Sequence, residues 1–155
     1  MHIHKYERWW LTFGIGMLFI FLATIAFAAF ADGINPPSGM QQLDPAKVAS
    51  TPPFDHPGLH KLHDGSYEAY FVAHIFAFAP SSITVPAGST VTFYVTSPDV
   101  IHGFAITQTA VNMMAIPGWV NMMSHTFRTP GTYFLVCNEY CGIGHQDMAG
   151  KIVVQ

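Results

Sequence analysis

Two thiols, an imidazole and a thioether fall within the twelve residues Cys137-Asn138-Glu139-Tyr140-Cys141-Gly142-Ile143-Gly144-His145-Gln146-Asp147-Met148. Soft sulfur donors combined with imidazole favour copper among the common metals. The stretch follows a β-rich run and contains two glycines, so it belongs on a loop at a strand end, where side chains can wrap around one point. A mononuclear blue-copper site takes two histidines, one cysteine and a weak axial methionine. The second cysteine changes that chemistry, because two thiolates can each bridge two metals. Each metal then needs its own terminal imidazole, and a second histidine must come from elsewhere. His102 is the best placed, at the turn before a strand in Ser97-Pro98-Asp99-Val100-Ile101-His102-Gly103-Phe104. Two other readings of the cysteines exist. A disulfide would suit an oxidising compartment but gives no reason for His145 and Met148. A zinc site uses Cys and His and leaves Met148 without a role.

The elements that must carry these residues are short and β-rich. Runs at Tyr67 to Phe78, Ser82 to Val85, Thr90 to Val95, His102 to Ile106, Trp119 to Phe127, Gly131 to Cys137 and Lys151 to Val154 are separated by turn signals. Pro86-Ala87-Gly88, Pro98, Pro117-Gly118 and Pro130-Gly131 supply those signals. Thr90 to Val95 alternates with period two, as a half-buried strand does. No long stretch here has helical periodicity, so residues 67–155 are expected to form an all-β sandwich or barrel. Residues 32–66 are rich in Pro and Gly and read as a weakly structured linker, in which Asp44-Pro45-Ala46 opens a short helical turn.

Residues 1–31 hold a different kind of segment. Leu11 to Ala31 is 21 residues without a charge, and about 20 apolar residues suffice to span a bilayer core. Trp9 and Trp10 mark one end, where indole rings favour the headgroup level. Lys5 and Arg8 precede the segment, and the next basic residue after it is Lys47. That asymmetry puts the N-terminus in the cytoplasm and the rest outside. A cleaved signal peptide ending at Ala29-Phe30-Ala31 is the competing reading, but signal cores run only about 7–15 residues.

Composition narrows the function classes. The chain has 155 residues, half of them hydrophobic, and a net charge of -3. No basic footprint for nucleic acid exists. Residues 32–155 carry four Lys and Arg against eight Asp and Glu, which would suit a neutral or basic partner.

The spacing Cys-x3-Cys-x3-His-x2-Met, the segment Ser97 to Phe104 and the N-terminal apolar helix occur in an order that resembles subunit II of haem–copper cytochrome c oxidases. The single-anchor, B-family kind is the nearest in pattern, and the resemblance covers nearly the whole chain. It implies a cupredoxin-like Greek-key sandwich and a binuclear copper centre of the CuA type. Cys137 and Cys141 would bridge the coppers, with His102 and His145 as terminal imidazoles. Met148 and the backbone carbonyl of Glu139 would be weak ligands. In many relatives a Glu at this position reaches Mg or Mn at the interface with subunit I, which B-family members often lack. The implied function is electron relay from a soluble cytochrome c outside a prokaryotic cell membrane to haem in subunit I. Oxygen would be reduced to water there, coupled to proton translocation. A nitric oxide reductase of the same superfamily would share the site, and a membrane-anchored copper-handling protein would bind copper exchangeably.

Other residues have milder readings. Phe76, Phe78 and Tyr140 are candidates for the place where electrons enter, with core packing as the alternative. His56, His60 and His63 read as a solvated loop cluster, and His74 and His125 as half-exposed sheet residues. Met113, Met114, Met122 and Met123 read as core or interface filler.

Overall fold

A computed structural model describes residues 4–31 and 38–155. The chain divides into two compact units, Met1–Asn35 and Pro36–Gln155. The first contains helix α1, Lys5–Phe30, whose 26 residues bury none of their side chains. At about 1.5 Å per residue that is enough to cross a bilayer. Its two threonines do not leave polar groups for lipid: Thr12 and Thr24 donate to the carbonyls of Arg8 and Ile20 at 2.8 and 2.9 Å.

The second unit is a two-sheet sandwich. Its strands are β1 (Ser38–Gln42), β2 (Gly58–Lys61), β3 (Tyr67–His74), β4 (Ala77–Ala79), β5 (Ser82–Val85) and β6 (Thr90–Thr96), followed by β7 (His102–Ile106), β8 (Asn112–Ala115), β9 (Trp119–Thr126), β10 (Gly131–Val136) and β11 (Ala149–Val154). One sheet has the order β1-β9-β6-β3-β2, with β4 beside β3, and the other β5-β11-β10-β7-β8. The β3–β6 and β5–β11 pairs are parallel. Parallel neighbours within mostly antiparallel sheets mean that the chain crosses between sheets, as a Greek-key sandwich requires. This is the all-β, cupredoxin-like architecture expected, with one apolar helix before it. Alternation builds the core: Val91, Phe93 and Val95 of β6 point inward, and Phe71, Phe104 and Phe127 meet Phe93 with ring centres 5.9–6.3 Å apart.

Two expectations need correction, and one strand was not foreseen. The run Tyr67 to Phe78 is two strands, because the chain turns at Ile75 and Phe76. Strand β8 was not foreseen although its burial alternates, with Met113 and Ala115 inward and Asn112 and Met114 outward, because four residues are too few for the period to stand out. The stretch 32–66 is not a weakly structured linker over its described part. Strand β1 pairs with β9 and β2 with β3. Between them the turn Pro45–Ser50 is capped by Asp44, which accepts from the Ala46 amide at 3.1 Å. Leu43, Val48 and Phe54 bury against Val72 and Val120, forming a second apolar cluster on the outer face of the first sheet. Single apolar residues spaced among prolines are enough to hold the segment down. Asn35-Pro36-Pro37 lies outside the described residues.

Candidate metal centre

Strand pairing brings the ends of the sulfur-rich loop together. Val136 of β10 faces Ala149 of β11, so Cys137 and Met148 are the next pair out, and the Cys137 amide donates to the Met148 carbonyl at 3.2 Å. The ten residues between them form a closed loop at one end of the sandwich. Its last part is a single 3-10 turn, His145–Asp147, entered through Gly144.

Inside this loop the soft donors converge. The Sγ atoms of Cys137 and Cys141 lie 3.8 Å apart. Cys137 Sγ is 3.2 Å from the carbonyl oxygen of Glu139. Cys141 Sγ is 3.7 Å from His145 Nδ1 and 3.8 Å from Met148 Sδ. Both cysteines are free thiols. Burial first, then contact with Cys137, pushes the Cys141 thiol up to about 11, so a metal must displace its proton on binding.

The last donor comes from the neighbouring strand. His102 opens β7 and is fully buried. One ring nitrogen, Nε2, is 2.8 Å from Asp99 Oδ1, whereas Nδ1 has no hydrogen-bond partner among the described residues. A buried polar atom without a partner is uncommon and costly. The donor atoms of His102, Cys137 and Cys141 all lie within 4.8 Å of one another. The site residues foreseen from sequence, His102, Cys137, Cys141, His145, Met148 and the Glu139 carbonyl, are thus brought to one place.

Asp99 was not singled out from sequence, yet it fixes the histidine. Burial alone would raise its carboxyl. Hydrogen bonds from His102, the Ile75 and Val100 amides and Ser97 outweigh that and hold it below the usual carboxylate range. A carboxylate on the far nitrogen of a ligating imidazole sets the tautomer and ring orientation. Its signal was the Ser97-Pro98-Asp99 turn three residues before a histidine. Gly103 is a second such residue. A Cβ there would lie 2.6 and 2.8 Å from the amide nitrogens of Asn138 and Glu139, so only glycine lets the loop cross β7 this closely. Asn138 also donates to Asn112 of β8 at 3.1 Å.

The three aromatic candidates separate. Tyr140 is 75% exposed and sits edge-on to His145, with ring centres 5.8 Å apart. Phe76 is half-buried against the loop. Phe78 is inside the core, edge-on to Phe104, so it packs rather than faces a partner. The Glu139 side chain is exposed, as are His56, His60 and His63.

Comparison with known proteins decides the family. The family model for the periplasmic domain of cytochrome c oxidase subunit II matches residues 70–155. Cytochrome c oxidase subunit 2 of Thermus thermophilus is 41% identical, over 99% of this chain and 94% of its own. This chain belongs to the cytochrome c oxidase subunit II family. The same subunit of Saccharomyces cerevisiae is 39% identical over 46% of this chain and 29% of its own. Among solved structures, a chain of a heme-copper terminal oxidase dimer superposes with a TM-score of 0.76 at 33% identity, over 97% of this subunit II and 100% of that chain. The periplasmic domain of subunit II of the Bradyrhizobium japonicum oxidase has a TM-score of 0.53 at 22% identity, over 57% of this chain and 83% of its own, which speaks to the fold. Subunit II is therefore part of a haem–copper oxidase complex, an oxidoreductase, with a subunit I as its neighbour. It is a membrane-anchored subunit, and among the described residues one helix, Lys5–Phe30, is long and apolar enough to cross a membrane.

Proposed function

We propose that this subunit II holds a binuclear CuA centre and is where electrons enter the oxidase. The observation that carries the proposal is the pair of Sγ atoms 3.8 Å apart, with His145 Nδ1 3.7 Å from one of them and the unpartnered His102 Nδ1 buried nearby. Cys137 and Cys141 would bridge two coppers, His102 and His145 would each cap one, and Met148 Sδ and the Glu139 carbonyl would complete the set as weak ligands. A thioether and two thiolates match copper rather than zinc. When bound, the copper pair supplies one-electron chemistry between a soluble cytochrome c and haem in subunit I, where oxygen is reduced to water with proton translocation.

The chain's own residues make that relay efficient by holding still. Asp99 fixes the His102 ring, Gly103 and Asn112 hold the start of the loop, and the Cys137 amide bond to Met148 closes its end. Burial of His102, Cys137, Cys141 and Met148 excludes water, so little solvent would rearrange with the change of charge. Tyr140, exposed beside His145, is the aromatic best placed toward a donor. Lys5 and Arg8, in the first turns of helix α1, would hold the N-terminus in the cytoplasm of a prokaryotic cell, with the sandwich outside. Only the backbone of Glu139 enters this proposal. A hard cation such as Mg or Mn takes several oxygen ligands, and one exposed carboxylate is a single contribution to them.

Rapid mixing tests the relay. The assembled oxidase mixed with reduced cytochrome c is expected to show copper reduced before haem, and a Cys141→Ser complex is expected to lose fast haem reduction. Equal haem reduction rates in both complexes would contradict the relay.

A further inference from the structure

The glycines of the ligand loop point to a residue that offers no donor atom of its own. A Cβ built on Gly142 would lie 2.9 and 3.0 Å from Cε1 and Cζ of Phe76. One built on Gly144 would lie 2.6 Å from Cγ and Cδ2 of the same ring and 3.1 Å from its Cβ. The backbone requires glycine only at the first position: Gly142 has φ +131, whereas Gly144 has φ -93, which any residue adopts. What excludes a side chain at Gly144 is therefore the Phe76 ring. The ring lies under the turn closed by the His145 amide and the Gly142 carbonyl at 3.1 Å. Cys141 immediately precedes that turn and His145 ends it. On its other side the Ile75 amide, next to Phe76, donates to Asp99 Oδ2 at 2.7 Å, and Asp99 Oδ1 holds His102. The turn between β3 and β4 thus touches both sources of imidazole, one through packing and one through a carboxylate.

From this we infer that Phe76 is a positioning residue: its ring is the floor that sets the Cys141–His145 turn relative to His102, and hence the geometry of the centre. The inference rests on the copper reading only for its spectroscopic arm. A contact-mediated floor makes a distinctive demand, because ring and glycine must be matched in size. Gly144→Ala alone must drive the turn off the ring. Phe76→Ala alone must let the turn sag. Together the added methyl enters the space the ring vacates, so the two effects must be non-additive.

The test uses the full chain in detergent. Without metal, hydrogen exchange in the peptide 142–148 is expected to quicken at least threefold in Phe76→Ala, while β10 and β11 keep their protection. With copper, each single variant is expected to change the visible absorption and the copper hyperfine pattern, and Phe76→Ala/Gly144→Ala is expected to lie closer to the parent than either. Phe76→Leu, which keeps part of the bulk, should fall between parent and alanine. Unchanged exchange at 142–148 in Phe76→Ala, or additive changes in the double variant, would overturn the inference. If the parent itself failed to show a copper pair, the functional reading would fall, and the metal-free exchange and its cycle would still decide the role of Phe76.

Discussion

Two segments of this subunit lie against the sandwich as irregular chain, and they are built in opposite senses. Residues 43–54 turn Leu43, Val48 and Phe54 inward onto Val72 and Val120. Hydrophobic burial is sufficient to hold such a wrap. Residues 137–148 turn two thiols and a thioether inward, set the half-buried His145 ring against one of the thiols, and leave Tyr140 and Ile143 75% and 89% exposed. A loop that presents its apolar residues to solvent and its soft donors to the interior is not organised by burial. It is organised by backbone closure, by close crossing over Gly103 and, on the copper reading, by the metal. Changes in the first segment should therefore alter stability, and changes in the second the centre.

The largest effect expected is at the centre. Cys141→Ser would remove one of the two proposed bridging thiolates, and the two-copper spectrum should be lost outright while the apo fold persists, as read by circular dichroism. Next comes the wrap. Phe54→Ala, at a position only 4% exposed, should cost about 3–5 kcal/mol of stability in denaturant unfolding and leave the copper spectrum unchanged. A changed spectrum there would erase the distinction between the two segments. Asp99→Asn should lower copper affinity about 10–100-fold, measured by competition with a chelator, because the His102 ring loses its anionic partner. Gly103→Ala should cost about 1–3 kcal/mol through forced displacement, and it should move the spectrum too, because the displaced backbone is that of Asn138 and Glu139.

The smallest effect lies on the outer face of the first sheet. Tyr70 and Tyr94 stack with centres 4.9 Å apart, and both hydroxyls donate to Glu68, at 2.7 and 3.2 Å. Burial, then the Glu68 hydrogen bond, raises the Tyr70 hydroxyl above its usual 10.0. The folded state therefore holds that proton more tightly than the unfolded state does. The associated stability is present below pH 10 and declines as pH rises beyond it. Tyr70→Phe should flatten this alkaline decline in thermal unfolding while the copper spectrum stays the same.

The sequence was most legible where chemistry constrains spacing. Cys137, Cys141, His145 and Met148 announced themselves because soft donors at those intervals have few other uses. His102 followed from the need for a second imidazole. The strands of the core were readable from alternation, as in Val91, Phe93 and Val95. The wrap was not, because Leu43, Val48 and Phe54 follow neither period two nor period 3.6, and the prolines between them are the usual mark of a linker. Asp99, and the packing role of Phe76 as distinct from the electron entry expected of it, were hidden for another reason. Their roles depend on contacts across the fold, to His102 from a neighbouring turn and to Gly142 and Gly144 from another strand connection, and no local pattern records such contacts.

Electron paramagnetic resonance with copper counting, on the full chain loaded with copper in detergent, distinguishes a copper pair from a single copper. Two coppers per chain and a spectrum of one unpaired electron shared between equivalent copper nuclei are expected. One copper per chain with a single-nucleus spectrum would contradict the binuclear centre, and would make the paired sulfurs of Cys137 and Cys141 something other than a bridge.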